Sequence, residues 1–293
     1  MPSWQEILEE TSCLPQPIDA IRKKYLKLLA NTRKRNVIAY YSGWLQGKTN
    51  GNPSITDEDM EGFMNAVHAS DRSKGLDLIL HTPGGGITAA AAIVRYLRKS
   101  FNGDIECFVP HMAMSAGTMI ACACNVIHMG EHSSLGPIDP HFNGISTHGV
   151  LEEFNTAIEE VSKNPDHFPL YRIIIEKYHP TFLGECKKAI ELSDEFVGEW
   201  LKTGMFNGVE NKEKRVEDIL NHLNNHHDTK QHDRHLDVDY IEQLGLKIKR
   251  LETEDIQDAV LSIHHAFSLT FSQTQAIKII ESDSNACFVK HVR

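Results

Sequence analysis

Short runs of consecutive apolar residues alternate with longer, helix-like segments over the first half of the chain. The predicted strands cover residues 37–41, 76–81, 105–110 and 126–129. Between them, the segment from Thr56 to about Ser70, the alanine-rich segment 88–99 and the small-residue segment 115–124 each favour a helix. Strands that are apolar throughout are typical of a parallel sheet covered on both faces, so the pattern predicts an α/β fold.

The two ends of the chain follow a different, mostly helical pattern. Residues 1–36 read as helix, as do segments 149–162, 168–178, 184–202, 211–227 and 253–271, whereas 244–249 indicates a helix end followed by a short strand. We therefore expect an N-terminal helical extension (1–36), one α/β domain (37–250) and a C-terminal helical extension (251–293). Neither an internal repeat nor a long linker interrupts this arrangement.

Composition and charge narrow the class of protein. The 293 residues are 41% hydrophobic and 24% charged, which is ordinary for a globular protein, and the formal net charge is −10. Such an acidic chain is a poor candidate for binding nucleic acid, because phosphates are neutralised by clustered Lys and Arg. The one basic stretch, Arg22 to Arg35, is interpreted as the solvated face of a helix.

The cysteines and the longest apolar segment bear on the compartment. The six cysteines (13, 107, 122, 124, 186 and 287) form neither a disulfide framework nor a zinc motif, which favours a reducing, cytoplasmic location. The N-terminal residues lack the pattern of a signal peptide. Polar residues and Pro110 interrupt the apolar stretch 108–129, so no membrane-spanning helix is expected.

A glycine-rich turn follows the second predicted strand. His81-Thr-Pro-Gly-Gly-Gly86 lies between a strand and a helix, where backbone N–H groups can approach an anion or an oxyanion closely. The sequence matches neither a P-loop nor Gly-x-Gly-x-x-Gly. The alternative interpretation is a tight connection with no chemical role.

Ser115 begins the next predicted helix, within Met112-Ala-Met-Ser-Ala-Gly117. Serine is a preferred helix N-cap, which is the structural interpretation. The chemical interpretation is a nucleophile at a strand-to-helix turn, although Ala113 replaces the first glycine of the Gly-x-Ser-x-Gly motif. Further on, Ser133-Ser-Leu-Gly-Pro-Ile-Asp-Pro140 is either a simple turn or a loop that brings the Asp139 carboxylate to this serine.

The order of these motifs resembles the Clp protease/crotonase superfamily, and within it the signal peptide peptidase A-like proteases. The segment Leu135 to Pro140 is most similar to the family called serine dehydrogenase proteinases. The resemblance covers about residues 36–250. It implies a Clp/crotonase-like spiral of parallel ββα units with helical additions at both ends.

The resemblance also implies roles for particular residues. Ser115 matches the nucleophile, and the amides of Gly84 or Gly85 together with Ala116 match the oxyanion hole. Asp139 occupies the position that Clp proteases give to the catalytic His. The run 229–235 before Leu244-Gly-Leu246 is similar to the family's late His-Asp motif, so we expect His232 to be the base and Asp139 to orient it.

Other bases and ligands stay open at this point. His179 and Lys177 lie where signal peptide peptidases A carry a general-base lysine, whereas the position of His141 is one turn too late for a catalytic role. His222 and His226 are one helical turn apart and could share a metal, but no residue completes a ligand set, so no metal is expected.

Together these features predict a cytoplasmic serine endopeptidase that needs no cofactor and acts on a peptide or protein substrate. The superfamily resemblance implies a homo-oligomer, with residues 1–36 and the helices after 184 as assembly surfaces. Any ATP-driven unfolding would need a separate ATPase, since the chain has no Walker motif. The alternatives are a crotonase-like acyl-CoA enzyme that uses the glycine turn to hold an enolate, and a non-catalytic scaffold subunit.

Overall fold

A seven-stranded sheet forms the centre of the described chain. The computed structural model describes residues 2–12, 17–47, 51–224 and 232–292. The strands are β1 (Asn36–Ser42), β2 (Leu76–His81), β3 (Ile105–Val109), β4 (Met112–Ala113), β5 (Val126–Met129), β6 (Ser134–Leu135), β7 (His141–Phe142), β8 (Ile145–Ser146), β9 (Leu236–Asp237), β10 (Ile248–Arg250), β11 (Ala276–Ser282) and β12 (Cys287–His291). The order in the central sheet is β10-β5-β3-β2-β1-β11-β12. The first five strands in this order are parallel, and the last two pairings are antiparallel.

Helices cover this sheet and extend from both of its ends. They are α1 (Trp4–Ser12), α2 (Pro17–Arg33), α3 (Asp59–His68), α4 (Ile87–Ser100), α5 (Ala116–Cys122), α6 (Thr147–Lys163), α7 (Phe168–Ile175), α8 (Phe182–Thr203), α9 (Lys212–Leu223), α10 (Val238–Gln243) and α11 (Gln257–Gln273). The prediction of an α/β protein with a mainly parallel sheet is therefore confirmed.

Strand β1 shows why the predicted strands are apolar throughout. All of its residues are buried. Ile38 and Tyr40 belong to a core on one face of the sheet, whereas Val37, Ala39 and Tyr41 belong to a core on the other face. Because successive side chains point to opposite faces, a strand covered on both sides is mostly apolar, and its buried polar residues need partners.

The C-terminal segment differs from the prediction of a helical extension. Residues 251–293 form helix α11, and then strands β11 and β12, which complete the central sheet. Strand β11 pairs antiparallel with β1, and all its residues are buried. Its run Ala276–Ser282 contains Lys278 and Glu281. Charged residues indicate an exposed segment in the sequence, whereas both side chains are buried here.

The basic stretch near the N-terminus is only partly the solvated helix face that its charge suggested, since Lys24, Lys27 and Lys34 are exposed but its arginines are not. Arg22 is 2% exposed and its Nε donates to Glu281 at 2.7 Å. Arg33 and Arg35 both bind the buried carboxylate of Asp77, at 2.8 and 2.7 Å. These guanidinium groups join α2 and its end to the sheet.

The chain direction brings three connections to one edge of the sheet. Strands β2, β3 and β5 are parallel neighbours, so the segments that follow them leave from the same edge. Those segments are the glycine turn, the Ser115 turn and the loop that contains Asp139. Sites commonly form at this carboxyl edge in parallel sheets.

The cysteines and the character of the helices can be stated for the described residues. Their free cysteines are Cys107, Cys122, Cys124, Cys186 and Cys287, and Cys13 lies outside the described residues. Across the described ranges, none of the helices has the length and apolar character needed to span a membrane.

Candidate active site

Ser115 occupies a strained turn between strand β4 and helix α5. Its backbone angles are φ 51° and ψ −117°, a region that non-glycine residues rarely adopt. Its side chain makes no N-cap hydrogen bond. Ser146, at the start of α6, has φ −64° and accepts a hydrogen bond from the Gly149 amide in the ordinary way. Ser115 is thus not a capping serine, and its geometry is that of a nucleophile elbow.

Three glycines allow the chain to close around Ser115. A Cβ at Gly84 would lie 2.8 Å from Ser115 Cβ, and one at Gly136 would lie 3.2 Å from the Ser115 amide nitrogen. A Cβ at Gly117 would lie 2.5 Å from Thr82 Cγ2. The three loops therefore approach to distances that any larger residue would prevent.

Backbone hydrogen bonds fix the glycine turn beside the elbow. The Thr82 amide donates to Met112 O at 3.1 Å, and the Met114 amide donates to Thr82 O at 3.0 Å. The Thr118 hydroxyl accepts from the Gly136 amide at 2.9 Å and lies 2.8 Å from Ala113 O. These bonds join the segments after β2, β3 and β5 into one unit.

The amides available for an oxyanion differ between the two candidate glycines. The Gly84 amide donates to Thr82 Oγ1 at 3.1 Å, with Gly84 at φ +96°. Among the described residues, the amides of Gly85 and Ala116 form no hydrogen bond with another protein group. The Ala116 nitrogen lies against Gly84, 3.1 Å from where a Cβ would stand. Among the described residues, the amides of Gly85 and Ala116 are therefore the two candidate oxyanion donors that have no protein partner.

Asp139 is held rigidly by its two chain neighbours. The Ile138 amide donates to Leu223 O at 2.9 Å, and Ser193 Oγ donates to Ile138 O at 3.0 Å. On the other side, Thr147 donates to Pro140 O from both its amide and its hydroxyl. The carboxylate of Asp139 is fully buried, so it needs polar or charged partners.

His232 reaches this carboxylate across an antiparallel pairing. Strand β9 pairs with β6, with Leu236 opposite Leu135. The same register continued by four residues brings His232 to Asp139, and His232 Nδ1 lies 2.8 Å from Asp139 Oδ1. An ionised carboxylate can only accept, so Nδ1 carries the proton and leaves Nε2 with a lone pair. The His232 side chain is 29% exposed and open to a substrate.

His141 lies beside the same carboxylate, which corrects the expectation that it stands one turn too late. Residues two apart in an extended segment share a face, and Pro140 keeps this segment extended. His141 Nδ1 is 3.6 Å from Asp139 Oδ2 and 3.1 Å from Asp139 O. The His141 and His232 rings are 3.9 Å apart between centroids.

The other candidate bases lie elsewhere. Lys177 and His179 are exposed and line a surface groove with Ile145 and Phe182. His179 Nδ1 is 2.9 Å from Thr181 Oγ1. Among the described residues, Ser115 Oγ forms no hydrogen bond with either of them or with His232.

A second group of histidines lies under the glycine turn, and sequence reasoning missed it. The rings of His81, His111 and His264 are 5.1–5.4 Å apart, and Tyr41 packs against two of them. Burial, reinforced by repulsion from the His111 imidazole, lowers the pKa of His81 to about 3. Burial also lowers the pKa of His111 and of His264. These rings are neutral packing groups, and the position of His81 directly before the turn was the only sequence signal for them.

Two groups of residues are candidate metal ligands. Within the described residues, the one His/Cys/Asp/Glu group whose ligand atoms converge is Asp139, His141 and His232, with atoms within 4.8 Å of one another. His222 is exposed, and its Nδ1 lies 2.7 Å from Asp218 O. His226, with which it was expected to share a metal, lies outside the described residues.

Comparison with known proteins places this geometry in a family. The chain is similar to the uncharacterized protein MJ0137 of Methanocaldococcus jannaschii, with 32% identity over 80% of this chain and 76% of the relative. It is also similar to the uncharacterized protein MJ1495 of the same organism, with 30% identity over 66% of this chain and 59% of the relative. The model of the ClpP-like SDH-type serine proteinases matches residues 14–284. The chain belongs to the ClpP-like SDH-type serine proteinase family.

Proposed function

We propose that this protein is a serine endopeptidase in which Ser115 is the nucleophile, His232 the general base and Asp139 the residue that orients the base. The observation that carries the proposal is the 2.8 Å contact between His232 Nδ1 and the buried Asp139 carboxylate. These residues lie 93 positions apart in sequence. The resemblance to the serine dehydrogenase proteinases implies the same pairing.

The proposed first step is attack on a peptide carbonyl. His232 Nε2 takes the proton of the Ser115 hydroxyl as Oγ bonds to the carbonyl carbon. Asp139 holds the ring in the tautomer that leaves Nε2 free, and its charge stabilises the imidazolium that forms. His232 then delivers the proton to the leaving amine, and water hydrolyses the acyl-enzyme in the second half of the reaction.

The carbonyl oxygen becomes negative in this step, and we assign its stabilisation to the amides of Gly85 and Ala116. Both are unbonded in the described chain, whereas the Gly84 amide is already bonded to Thr82 Oγ1. Each donor of this kind contributes about 3 kcal/mol to the transition state. The role of Gly84 is then to supply the left-handed conformation and the close contact with Ser115.

A fluorophosphonate probe tests the nucleophile without a known substrate. We expect a single adduct, mapped to Ser115 by intact mass and peptide analysis, and no adduct in Ser115→Ala. Ser146→Ala is the matched control, because it removes a serine that also begins a helix but has ordinary backbone angles. Labelling of Ser146→Ala should match that of the wild type.

The outcomes separate the competing functions. No adduct on a folded wild-type protein, or equal labelling of Ser115→Ala, would contradict the proposal. Binding of an acyl-CoA by such an unlabelled protein would favour the crotonase-like alternative, in which the glycine turn holds an enolate. If neither occurs, a scaffold role is favoured.

The remaining expectations form part of the same proposal. We propose a Clp/crotonase-type spiral, a cytoplasmic location and a homo-oligomer. Residues 1–36 expose Trp4 and Leu28, which supports assembly through the N-terminal helices. Large exposed apolar side chains also lie in the segment 145–173 and support assembly through α6 and α7. They are Ile145, Ile158, Phe168, Leu170 and Ile173.

A further inference from the structure

We propose that Asp139, His141 and His232 form a zinc-binding site, and that an ion bound there switches off the peptidase. The binding part of this inference rests on geometry alone. The inhibitory part rests on the proposed function, because it assigns a regulation to the same residues.

The carboxylate of Asp139 lies between two imidazole rings. Its Oδ1 is 2.8 Å from His232 Nδ1, and its Oδ2 is 3.6 Å from His141 Nδ1. One ligand atom from each residue lies within 4.8 Å of the other two. A zinc ion sits 2.0–2.2 Å from such nitrogen and oxygen ligands, so small side-chain adjustments bring all three into its coordination sphere.

The donor set also has the right chemistry for zinc. Two neutral imidazoles and one carboxylate are a common zinc ligand set, and three protein ligands leave a fourth position for water. The carboxylate supplies the negative charge that an ion needs in a partly buried place. The two imidazoles are 16% and 29% exposed, whereas Asp139 is fully buried, so the ion reaches the site from the side of the rings.

No other described histidine group combines these features. The rings of His81, His111 and His264 are close together, but among the described residues they are not part of a group of converging metal-ligand atoms. His128 lies between Glu106 and Glu254, at 2.7 and 2.5 Å, and both of its ring nitrogens are occupied by these acids. The Asp139 site alone offers two imidazole nitrogens to one carboxylate.

Binding at this site would remove the base from the reaction. In the active form, His232 carries its proton on Nδ1 and accepts a proton at Nε2. An ion that takes the Nδ1 lone pair places the ring proton on Nε2, where it blocks acceptance of the Ser115 proton. The ring stays neutral and no proton is lost, so the change is a shift of tautomer held by the metal.

His141 is the residue that makes this inference specific. The proposed peptidase mechanism uses Asp139 and His232 and assigns no step to His141. A metal site needs a third ligand, and His141 supplies it from the same extended segment as Asp139. Substitution of His141 therefore separates metal binding from the proposed catalytic chemistry.

Two measurements test the inference. The first is the rate of fluorophosphonate labelling at Ser115 with ZnCl2 added and after chelation by EDTA, compared within each variant. The second is the visible ligand-field absorption of CoCl2 bound to the protein, which is also recorded on Ser115→Ala and needs no reactive serine. The variants are His141→Ala and, as the matched control, His222→Ala, which removes a histidine of the other metal candidate.

We expect zinc to slow labelling of the wild type and of His222→Ala, and EDTA to restore it. In His141→Ala the zinc concentration that halves the rate should rise at least about tenfold, since even outer partners of metal ligands change affinity by about 10- to 100-fold. The four-coordinate cobalt spectrum should be lost in His141→Ala and kept in His222→Ala and Ser115→Ala.

The possible failures are distinguishable. Labelling that zinc does not affect, or an equal zinc response in wild type and His141→Ala, overturns the inference and leaves the peptidase proposal intact. Loss of the zinc response in His222→Ala instead moves the site to the other histidine group and overturns it as well. An absence of labelling in every variant contradicts the peptidase proposal, whereas the cobalt spectra still decide the binding site.

Discussion

Two histidine groups of the described structure use the same side chain in opposite ways. His232 and His141 face the buried Asp139 carboxylate and are open to solvent on one side. His81, His111 and His264 pack on one another and on Tyr41, and burial holds the pKa of each ring below its ordinary value. A carboxylate partner makes an imidazole a usable base, whereas burial among other imidazoles makes it a neutral packing group.

The largest expected effect comes from removing the negative charge of Asp139. In Asp139→Asn, the amide no longer fixes the His232 tautomer or stabilises the imidazolium. The rate of labelling or of peptide hydrolysis should fall by about 10⁴-fold, the size of the same change in a Ser-His-Asp triad. Steady-state kinetics or labelling time courses measure it.

Asp194→Asn is the matched control for this change. Asp194 is a neighbouring acid that accepts a hydrogen bond from Asn224, and an asparagine in its place keeps an acceptor oxygen. Its rate should stay within about twofold of the wild type, because it touches neither Ser115 nor His232. An equal fall in both variants would show that the Asp139 effect is structural.

The second prediction concerns the loss of stability when the buried His81 ring is protonated at low pH. The pKa of His81 is about 3 in the folded protein and about 6.5 when unfolded, so the unfolded chain binds the proton more tightly. Stability from the neutral ring is complete above pH 6.5 and is lost as pH falls toward 3. Between pH 7 and pH 5, His81 alone should lower the free energy of unfolding by about 2 kcal/mol.

Urea denaturation at the two pH values measures this loss, with His81→Asn as the comparison. Asparagine cannot be protonated, so the difference between pH 7 and pH 5 should shrink by about 2 kcal/mol, whatever the substitution costs at pH 7. An unchanged difference would mean that His81 does not carry the acid sensitivity.

The smallest expected effect comes from a ring nitrogen without a partner. Among the described residues, His264 Nδ1 is buried and forms no hydrogen bond. Replacing a buried unsatisfied polar group by an apolar one of similar size is neutral or stabilising, so His264→Leu should raise the free energy of unfolding at pH 7 by up to about 1 kcal/mol. Thermal or urea unfolding measures it.

The paired group provides the contrast for that variant. His232→Leu should lower the free energy of unfolding by about 1–3 kcal/mol, because it removes a hydrogen-bond partner of the buried Asp139 carboxylate, and it should abolish labelling of Ser115. A large loss of stability in His264→Leu would show that the buried ring has a polar partner after all.

Much of the fold was predictable because its determinants are local. Strands at 76–81 and 126–129 were predicted with their observed bounds, since most residues of a strand buried on both faces are apolar. Strand β11 was missed and assigned to a helical extension. Its Lys278 is buried against Asp59, at 2.7 Å, and a charge satisfied by a partner 219 residues away looks like a surface charge in sequence.

The candidate site also has some features that depend on local sequence and others that depend on contacts between distant segments. The Ser115 turn and its glycines could be predicted from the sequence, because a tight strand-to-helix turn requires small residues at short, fixed spacing. A family motif in the sequence also indicated Asp139 as the acidic residue of the site. The contacts of His232 and His141 with this carboxylate are visible only in the tertiary structure, which shows no such contact for Lys177 or His179 among the described residues. The pairing of β6 with β9 joins segments about a hundred residues apart, and no local pattern encodes which of seventeen histidines that pairing brings to Asp139.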